Sequence, residues 1–387
     1  MKCGVARKEL LNVVRVVSQV RNKRSAWPIL RQIRFRTAGT EKLRVSAFDL
    51  GLGIECVMPA EVSEEGECSF LGEMVKYQLA QGMGESVELA RAEEDRVLPS
   101  PAGDREAACL IMDGNTMRAR QFDSDEFRDM PDVNPIRRLT MKGEDLAGGL
   151  RRTSFASSPD ELRAIMCGVC LRVRQGLVTL VATDTHRLAV EDIREVGPVG
   201  PAGLVGPDGM IDEKVIMPRE TVCALVKVLG DGEEVAISIG EATIEFRVGE
   251  WRIVSRLIEG IFPTYERAFL SDDPVARVTM PRAAFLRALR RVAWVAKCNA
   301  GRVLCQAASG SLKLSASADD FESAEKVLCD TEASMEMGFN VQYLLDALIA
   351  ISAEKVTFDL WGERSIGRIT SEELPGWQYL VMPMEIM

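Results

Sequence analysis

His186 is the single histidine of this chain, and ten cysteines are scattered through it. A histidine beside a thiol can make a nucleophile, because the base draws off the proton and the thiolate attacks. A cysteine–histidine hydrolase or transferase is therefore one reading. No local pattern supports it: the chain has no G-x-S-x-G, no H-E-x-x-H and no G-x-x-x-x-G-K-[ST]. Cys167 and Cys170 form the only C-x-x-C. A structural zinc takes about four ligands, and no second pair or nearby histidine completes this one. No metal or cofactor is expected.

Positive charge is the second candidate chemistry. In 282–297, Phe285, Leu286, Leu289 and Val292 fall on one helix face, and Arg287, Arg290 and Arg291 share the other. Arg151 and Arg152 take matching positions earlier in the chain, and Arg15 earlier still. A solvated face accounts for such charge. So does a phosphate backbone, which needs positive charge and carries no sequence information. Arg21, Asn22, Lys23 and Arg24 make a further basic loop, or an ordinary turn. Trp294 lies on the arginine side of its helix, where an exposed tryptophan suits an interface anchor; burial in its own domain is the other reading.

These arginines sit in a threefold repeat, and repeats set the architecture. V-A-R-K-E-L-L-N-V-V-R, T-M-K-G-E-D-L-A-G-G-L-R-R and T-M-P-R-A-A-F-L-R-A-L-R-R recur about a third of the chain apart. Each third then carries a second helical pattern, at 72–81, 218–229 and 340–351. Each of these is followed by a short polar turn and a strand: G-E-S-V-E-L, G-E-E-V-A-I-S-I and A-E-K-V-T-F-D-L. A strand running into an acidic turn also recurs, as L-R-V-S-A-F-D-L, V-T-L-V-A-T-D-T and L-K-L-S-A-S-A-D-D. Ile244, Phe246 and Val248 alternate with Glu245 and Arg247, the period of a half-buried strand. The repeats are long enough to be domains. The pattern predicts an α+β chain of three tandem similar domains at 1–136, 137–266 and 267–387, each with two helices on antiparallel sheets. The charged 91–108 and the Gly- and Pro-rich 197–209 read as exposed insertions.

Bulk composition is that of a folded globular chain: 387 residues, 47% hydrophobic and 27% charged. No apolar run reaches the roughly 18 residues of a membrane span, and the N-terminus lacks a signal-peptide core. A cytoplasmic protein with reduced thiols is expected. A net charge of −10 argues against a protein that simply coats DNA, though not against one with basic residues on a single surface.

Four strings resemble the bacterial DNA polymerase III beta subunit, the sliding clamp. They are A-T-D-T-H-R-L-A (182–189), S-R-L-I-E-G-I-F-P-T-Y (255–265), G-F-N-V-Q-Y-L-L-D-A-L (338–348) and Y-L-V-M-P-M (379–384). The resemblance covers essentially the whole chain and is weakest over 91–128. It implies a non-enzymatic processivity factor: a head-to-tail homodimeric ring encircling double-stranded DNA without sequence preference. Helices would line the hole, and polymerases and the clamp loader would dock through short peptides. A specialised paralogue is the alternative. The implied peptide site comprises Met166, Thr183, Thr185, His186, Arg187, Leu188, Pro263, Arg267, Asn340, Tyr343, Val381, Met382, Pro383 and Met384. Arg24 matches a DNA-contacting arginine; Arg15, Arg151, Arg152, Arg290 and Arg291 are further candidates. Met117 and Trp294 fall near the implied ring seam. The chain departs from the family in three places. Thr185 replaces the commonest glycine, the tail ends Glu385-Ile386-Met387, and Glu73 replaces a basic residue.

Overall fold

The computed structural model describes all residues except 21–26, 92–106, 121, 123–125, 175, 195–211, 271, 333, 363 and 386–387. Arg24, Ile386, Met387 and most of the two insertions thus lie outside the described residues. In the first repeat, β1 (Lys2–Ala6), α1 (Arg7–Val17), β2 (Gln32–Thr37), β3 (Lys42–Phe48) and β4 (Leu52–Pro59) come first. They are followed by β5 (Glu61–Glu64), β6 (Glu67–Leu71), α2 (Gly72–Gln81), β7 (Ser86–Arg91), β8 (Ala107–Met112) and β9 (Asn115–Arg120). The second repeat opens with β10 (Arg137–Lys142), α3 (Gly143–Ser154), β11 (Gly168–Arg174), β12 (Leu177–Thr183) and β13 (Arg187–Arg194). It continues through β14 (Asp212–Pro218), α4 (Arg219–Val228), β15 (Glu234–Ile239), β16 (Thr243–Val248) and β17 (Trp251–Arg256). The third opens with β18 (Ala276–Pro281), α5 (Arg282–Cys298), β19 (Arg302–Ala308), β20 (Ser311–Ala318) and β21 (Phe321–Leu328). It closes with β22 (Met335–Asn340), α6 (Val341–Ala350), β23 (Lys355–Leu360), β24 (Gly367–Thr370) and β25 (Trp377–Val381). The expected helices are all present, and each repeat is α+β.

Local chemistry accounts for these elements. α5 is rich in alanine, leucine and arginine, all strong helix formers. Its Phe285, Leu289, Val292 and Ala296 are buried, while Arg287, Arg290 and Arg291 are exposed, as the periodicity predicts. α6 is capped by Asn340, whose side-chain oxygen accepts from the backbone N–H of Gln342 (2.9 Å) and Tyr343 (3.4 Å). Between β8 and β9 the chain reverses at Asp113-Gly114, with φ of 53° and 76°, the left-handed pair that a two-residue hairpin requires.

The strands form four antiparallel sheets. Their orders are β5-β1-β7-β8-β9, β10-β15-β16-β17-β4-β3-β2-β6, β14-β11-β12-β13-β25-β24-β23-β18 and β21-β20-β19-β22. Both eight-stranded sheets join strands of neighbouring repeats, through β4–β17 and β13–β25. Compactness follows these joints. One compact unit is built mainly from Met1–Glu144 and Cys223–Leu257, the other mainly from Asp145–Glu195 and Ile258–Met387. Among the described residues no helix is long and apolar enough to cross a membrane.

Candidate functional site

The second unit holds an open cavity of about 280 Å³ at the β13–β25 joint. Its floor is strand. Leu188 on β13 faces Leu380 on β25 in register, and both pack with Cys170, Val181, Val190 and Ile216 in one buried apolar cluster. Phe262 and Tyr265 complete that cluster, with their rings edge to face at 6.5 Å. The walls come from Met166, at the end of a short 3-10 helix, and from Pro263, Ala268 and Ile366. Val381 and Met382 close the remaining side, and Met382 is exposed. An apolar cleft with few polar groups suits an apolar ligand of peptide size, and its methionines adapt to several shapes.

The polar rim is a turn fixed by its own side chains. Thr183 Oγ1 donates to the Arg187 carbonyl at 2.6 Å and accepts from the Thr185 N–H at 3.1 Å. Asp184 Oδ1 accepts from the N–H groups of His186 and Arg187, both at 3.0 Å. This geometry drives Thr185 to φ +79°. A β-branched residue is poorly suited to that left-handed region, which glycine enters without a steric penalty. The first repeat has the same turn: Asp49 Oδ1 accepts from Gly51 and Leu52, and Leu50 sits at φ 75°.

Nine of the expected peptide-site residues line the cavity: Met166, Thr183, Thr185, His186, Arg187, Leu188, Pro263, Val381 and Met382. Five do not. Arg267 is exposed beside it. Asn340 is occupied in capping α6. Tyr343 lies under Arg187, with the guanidinium 4.4 Å from its ring centre. Pro383 and Met384 lie past the cavity, where the Met384 N–H donates to the Gly338 carbonyl at 2.8 Å. Tyr265, Ala268, Ile366 and Leu380 line the cavity without having been singled out from sequence. Tyr265 at least ends one of the four diagnostic strings.

Arg187 was expected to meet a peptide's polar atoms, and the structure commits it elsewhere. Its Nε donates to Asp184 (2.9 Å) and its NH1 to Asp346 on α6 (2.6 Å), with the side chain only 10% exposed. β25 is tied to helices on the side away from the cavity. Tyr379 Oη donates to the Tyr343 carbonyl, and Trp377 Nε1 to the Arg152 carbonyl, both at 3.0 Å.

The candidate phosphate contacts divide. Arg15, Arg151 and Arg290 are exposed on α1, α3 and α5. Arg152 instead bonds both oxygens of the buried Glu191, at 2.9 and 2.7 Å. Arg291 reaches Glu325 at 3.2 Å. Glu73, the departure noted on α2, pairs with Lys76 at 2.8 Å. Trp294 is 62% exposed and touches only the edge of Phe321 among the described aromatic rings. Met117 lies half-buried on the edge strand β9.

The cysteine–histidine reading loses its footing. Burial pushes the Cys3 thiol up to about 11 and those of Cys56 and Cys305 up to about 12. A nucleophilic thiol needs the opposite shift. Cys170 is fully buried in the cavity's apolar floor, and Cys167 Sγ bonds backbone carbonyls. Among the described residues no group of three or more His, Cys, Asp or Glu side chains is placed to hold a metal.

The same positions can be followed by strand register into the first repeat. Arg34, Ser46, Glu55 and Ser69 stand where the second repeat has Cys170, Val181, Val190 and Ile216. That floor is polar, and the counterpart groove is occupied from within. Met130 Cγ lies 2.7 Å from where a Cβ on Gly53 would stand, and Asp129 accepts from Arg34 at 3.0 Å. Among the described residues, the first joint thus lacks the apolar floor of the second.

Comparison with known proteins agrees along the whole length. Residues 140–264 match the DNA polymerase III beta subunit, central domain, and 268–385 the C-terminal domain of the same subunit. The "Beta sliding clamp" of Synechocystis sp. is 26% identical over 100% of both chains, and that of Pseudomonas putida 27% over 100% of both. The solved DNA polymerase III beta subunit of Pseudomonas aeruginosa superposes with a TM-score of 0.85 at 25% identity, covering 100% of each chain. The DNA polymerase sliding clamp of Bacillus subtilis, at 20% identity, shares the fold with a TM-score of 0.85 and the same coverage.

Proposed function

We propose, on the premise that this chain belongs to the DNA polymerase III beta-subunit family of sliding clamps, that two copies close head to tail around duplex DNA. The chain is a polymerase processivity factor and a non-catalytic accessory subunit. In this proposal, polymerases and the clamp loader hold it through short peptides whose apolar side chains enter the Leu188–Leu380 cavity. Arg15, Arg151 and Arg290 face the phosphates, and Arg24 joins them. The work is done in the cytoplasm.

One observation supports ring closure above the rest. β4 of the first repeat pairs with β17 of the second, and β13 of the second pairs with β25 of the third. By position, β21 is the third repeat's counterpart of β4 and β13, and β9 is the first repeat's counterpart of β17 and β25. Each lies at the edge of its sheet. One further joint of the same kind, made between copies, uses both edges. Retention then comes from topology, so the DNA contacts can stay weak and blind to sequence.

The test loads the protein onto circular and onto linear DNA with a clamp loader present. Persistence on circles with escape from linear ends is expected. Equal loss from both rejects encirclement. A divergent clamp with its own partner set also fits one observation, the bulk of Thr185 at the cavity rim, where Arg163 NH1 donates to its Oγ1 at 3.4 Å.

A further inference from the structure

The chain that follows the last strand of a repeat is placed differently at the two joints. After β17, Pro263, Tyr265 and Ala268 stand as a wall of the second cavity and leave the Leu188–Leu380 floor open. Glu266 holds that stretch aside by accepting from Arg172 NH1 at 2.6 Å. After β9, residues 127–132 lie over the floor instead. Gly53, the counterpart of Leu188 by strand register, sits under Met130, whose Cγ is 2.7 Å from where a Cβ would stand. The difference follows from where each strand carries its arginine. Arg34 is on the floor of the first groove and draws Asp129 across it, at 3.0 Å. Its counterpart in the second groove is the uncharged Cys170, and Arg172 comes two residues further along β11.

Residues 127–132 are docked on the sheet rather than woven into it. Among the described residues, no backbone–backbone hydrogen bond involves 127–135. Side chains do the holding, one from each repeat. Arg34 on β2 bonds Asp129 and places its guanidinium carbon 5.4 Å from the Phe127 ring centre. Arg252 on β17 donates through NH2 to the Pro131 carbonyl at 2.9 Å and to Asp132 at 3.1 Å. Both arginines are fixed from behind. Arg34 Nε and NH2 bond Glu67 at 3.0 and 2.7 Å, and Arg252 Nε bonds the buried Glu245 at 2.6 Å. The two arginine side chains are only 13% and 15% exposed, whereas Asp129 and Asp132 stand in solvent. Arginines held in place and aimed at a partner's carboxylates are a recurrent means of binding an acidic peptide.

We propose that the groove at the first joint is a second peptide site, shut by residues 127–132 acting as an internal ligand, and that it takes an acidic peptide with apolar anchors when that segment lifts. The segment itself states the chemistry of the ligand. Phe127 and Met130, both half-buried, are the anchors. Asp129 and Asp132 supply carboxylates three residues apart, one for each arginine. This site has a polar, cationic floor and a taste opposite to that of the apolar Leu188–Leu380 cavity. It needs neither the ring nor a ligand in that cavity.

The internal ligand is held loosely enough to leave. Ion pairs whose carboxylates are exposed contribute little and are screened by salt. It stays in place because it is tethered. A short tether gives an effective concentration on the order of millimolar, which excludes a free copy of the same sequence. Gly53 fits this arrangement, since any side chain there would collide with Met130.

Fluorescence anisotropy with a labelled peptide of the sequence 126–134 tests this on the full-length protein. The variant Phe127→Ala with Met130→Ala removes the anchors and should bind the peptide at least about tenfold more tightly than the parent. Amide exchange of β4 and β17 checks that the joint is intact. If removing the anchors loosens it, Asp129→Asn with Asp132→Asn releases the segment without touching the packing, and the same gain is expected. A peptide with both aspartates changed to asparagine should not show the gain. Adding Gly53→Val to the opened variant should abolish it, by filling the room Met130 left. An intact, opened variant that binds no better than the parent overturns the proposal. So does a gain that survives Gly53→Val, because the peptide then sits elsewhere, or one that the asparagine peptide shares, because the arginines then play no part.

Discussion

Replacing Thr185 by glycine should stabilise the second unit, and the size of the gain follows from the turn. A side-chain-bearing residue held in the left-handed region costs about 1–2 kcal/mol, which glycine avoids. Glycine returns about 0.4–1 kcal/mol of that through the greater freedom of the unfolded chain. The lost bond from Arg163, at 3.4 Å and exposed, is at the outer limit of a hydrogen bond and contributes little. The net gain is about 0.5–1 kcal/mol. Thr185→Ala keeps the strain and loses the bond, so glycine should exceed alanine by about 1 kcal/mol. Urea unfolding read at the buried Trp377 is the assay, with each transition fitted separately because a chain with two compact units need not unfold in one step. With a slope of about 2–3 kcal/mol/M, the Gly and Ala midpoints should differ by about 0.3–0.5 M. Leu50→Gly should act likewise in the first unit. If Thr185→Gly is no more stable than Thr185→Ala, strain in the turn is not a cost and the reasoning fails.

Other outcomes are expected. Met382 is exposed at the cavity edge, so Met382→Ala should weaken an apolar peptide about tenfold while stability moves by less than about 0.5 kcal/mol; isothermal titration with unchanged affinity would remove it from the site. The Cys305 thiol is pushed up to about 12 by burial, against 9.0 as the ordinary value. The unfolded chain therefore loses this proton first, and stability held below pH 9 should fall as pH rises toward 12. At pH 10 the loss should be about 1.4 kcal/mol greater in the parent than in Cys305→Ala, by urea titration. For DNA, Arg290→Gln should lower the salt dependence of binding by roughly one ion, whereas Arg152→Gln should leave it unchanged because Glu191 already holds that guanidinium. Equal slopes for the two would contradict the division made above.

The repeats and all six helices were legible in the sequence from local periodicity, and eight of the nine expected cavity residues, all but Met166, lie in the contiguous strings that carry the resemblance. The joints were not. Nothing in the alternation of Leu188 and Val190 tells which distant strand will lie beside them, and the answer, Leu380, is far along the chain. Arg187 lines the cavity as its string implies, but its ion pair with Asp346, a residue on a helix that only tertiary structure brings near, was not legible. At Thr185 the substitution was visible and its meaning was not, because a backbone angle is set by the hydrogen bonds of Thr183 and Asp184 rather than by the residue's own preference.

Because Tyr379 and Trp377 bond helix carbonyls behind β25, the floor that carries Leu380 and Val381 cannot give way gradually. Lifting the strand would strand two aromatic donors, Tyr379 Oη and Trp377 Nε1, without their acceptors. A peptide of the proposed kind would meet a strand floor already in its final form, with only side chains such as Met382 left to adjust, so most of the ordering entropy would fall on the peptide. Its affinity should then respond to pre-stiffening the peptide, by a proline or a ring closure, far more than to mutations that loosen the receptor's loops.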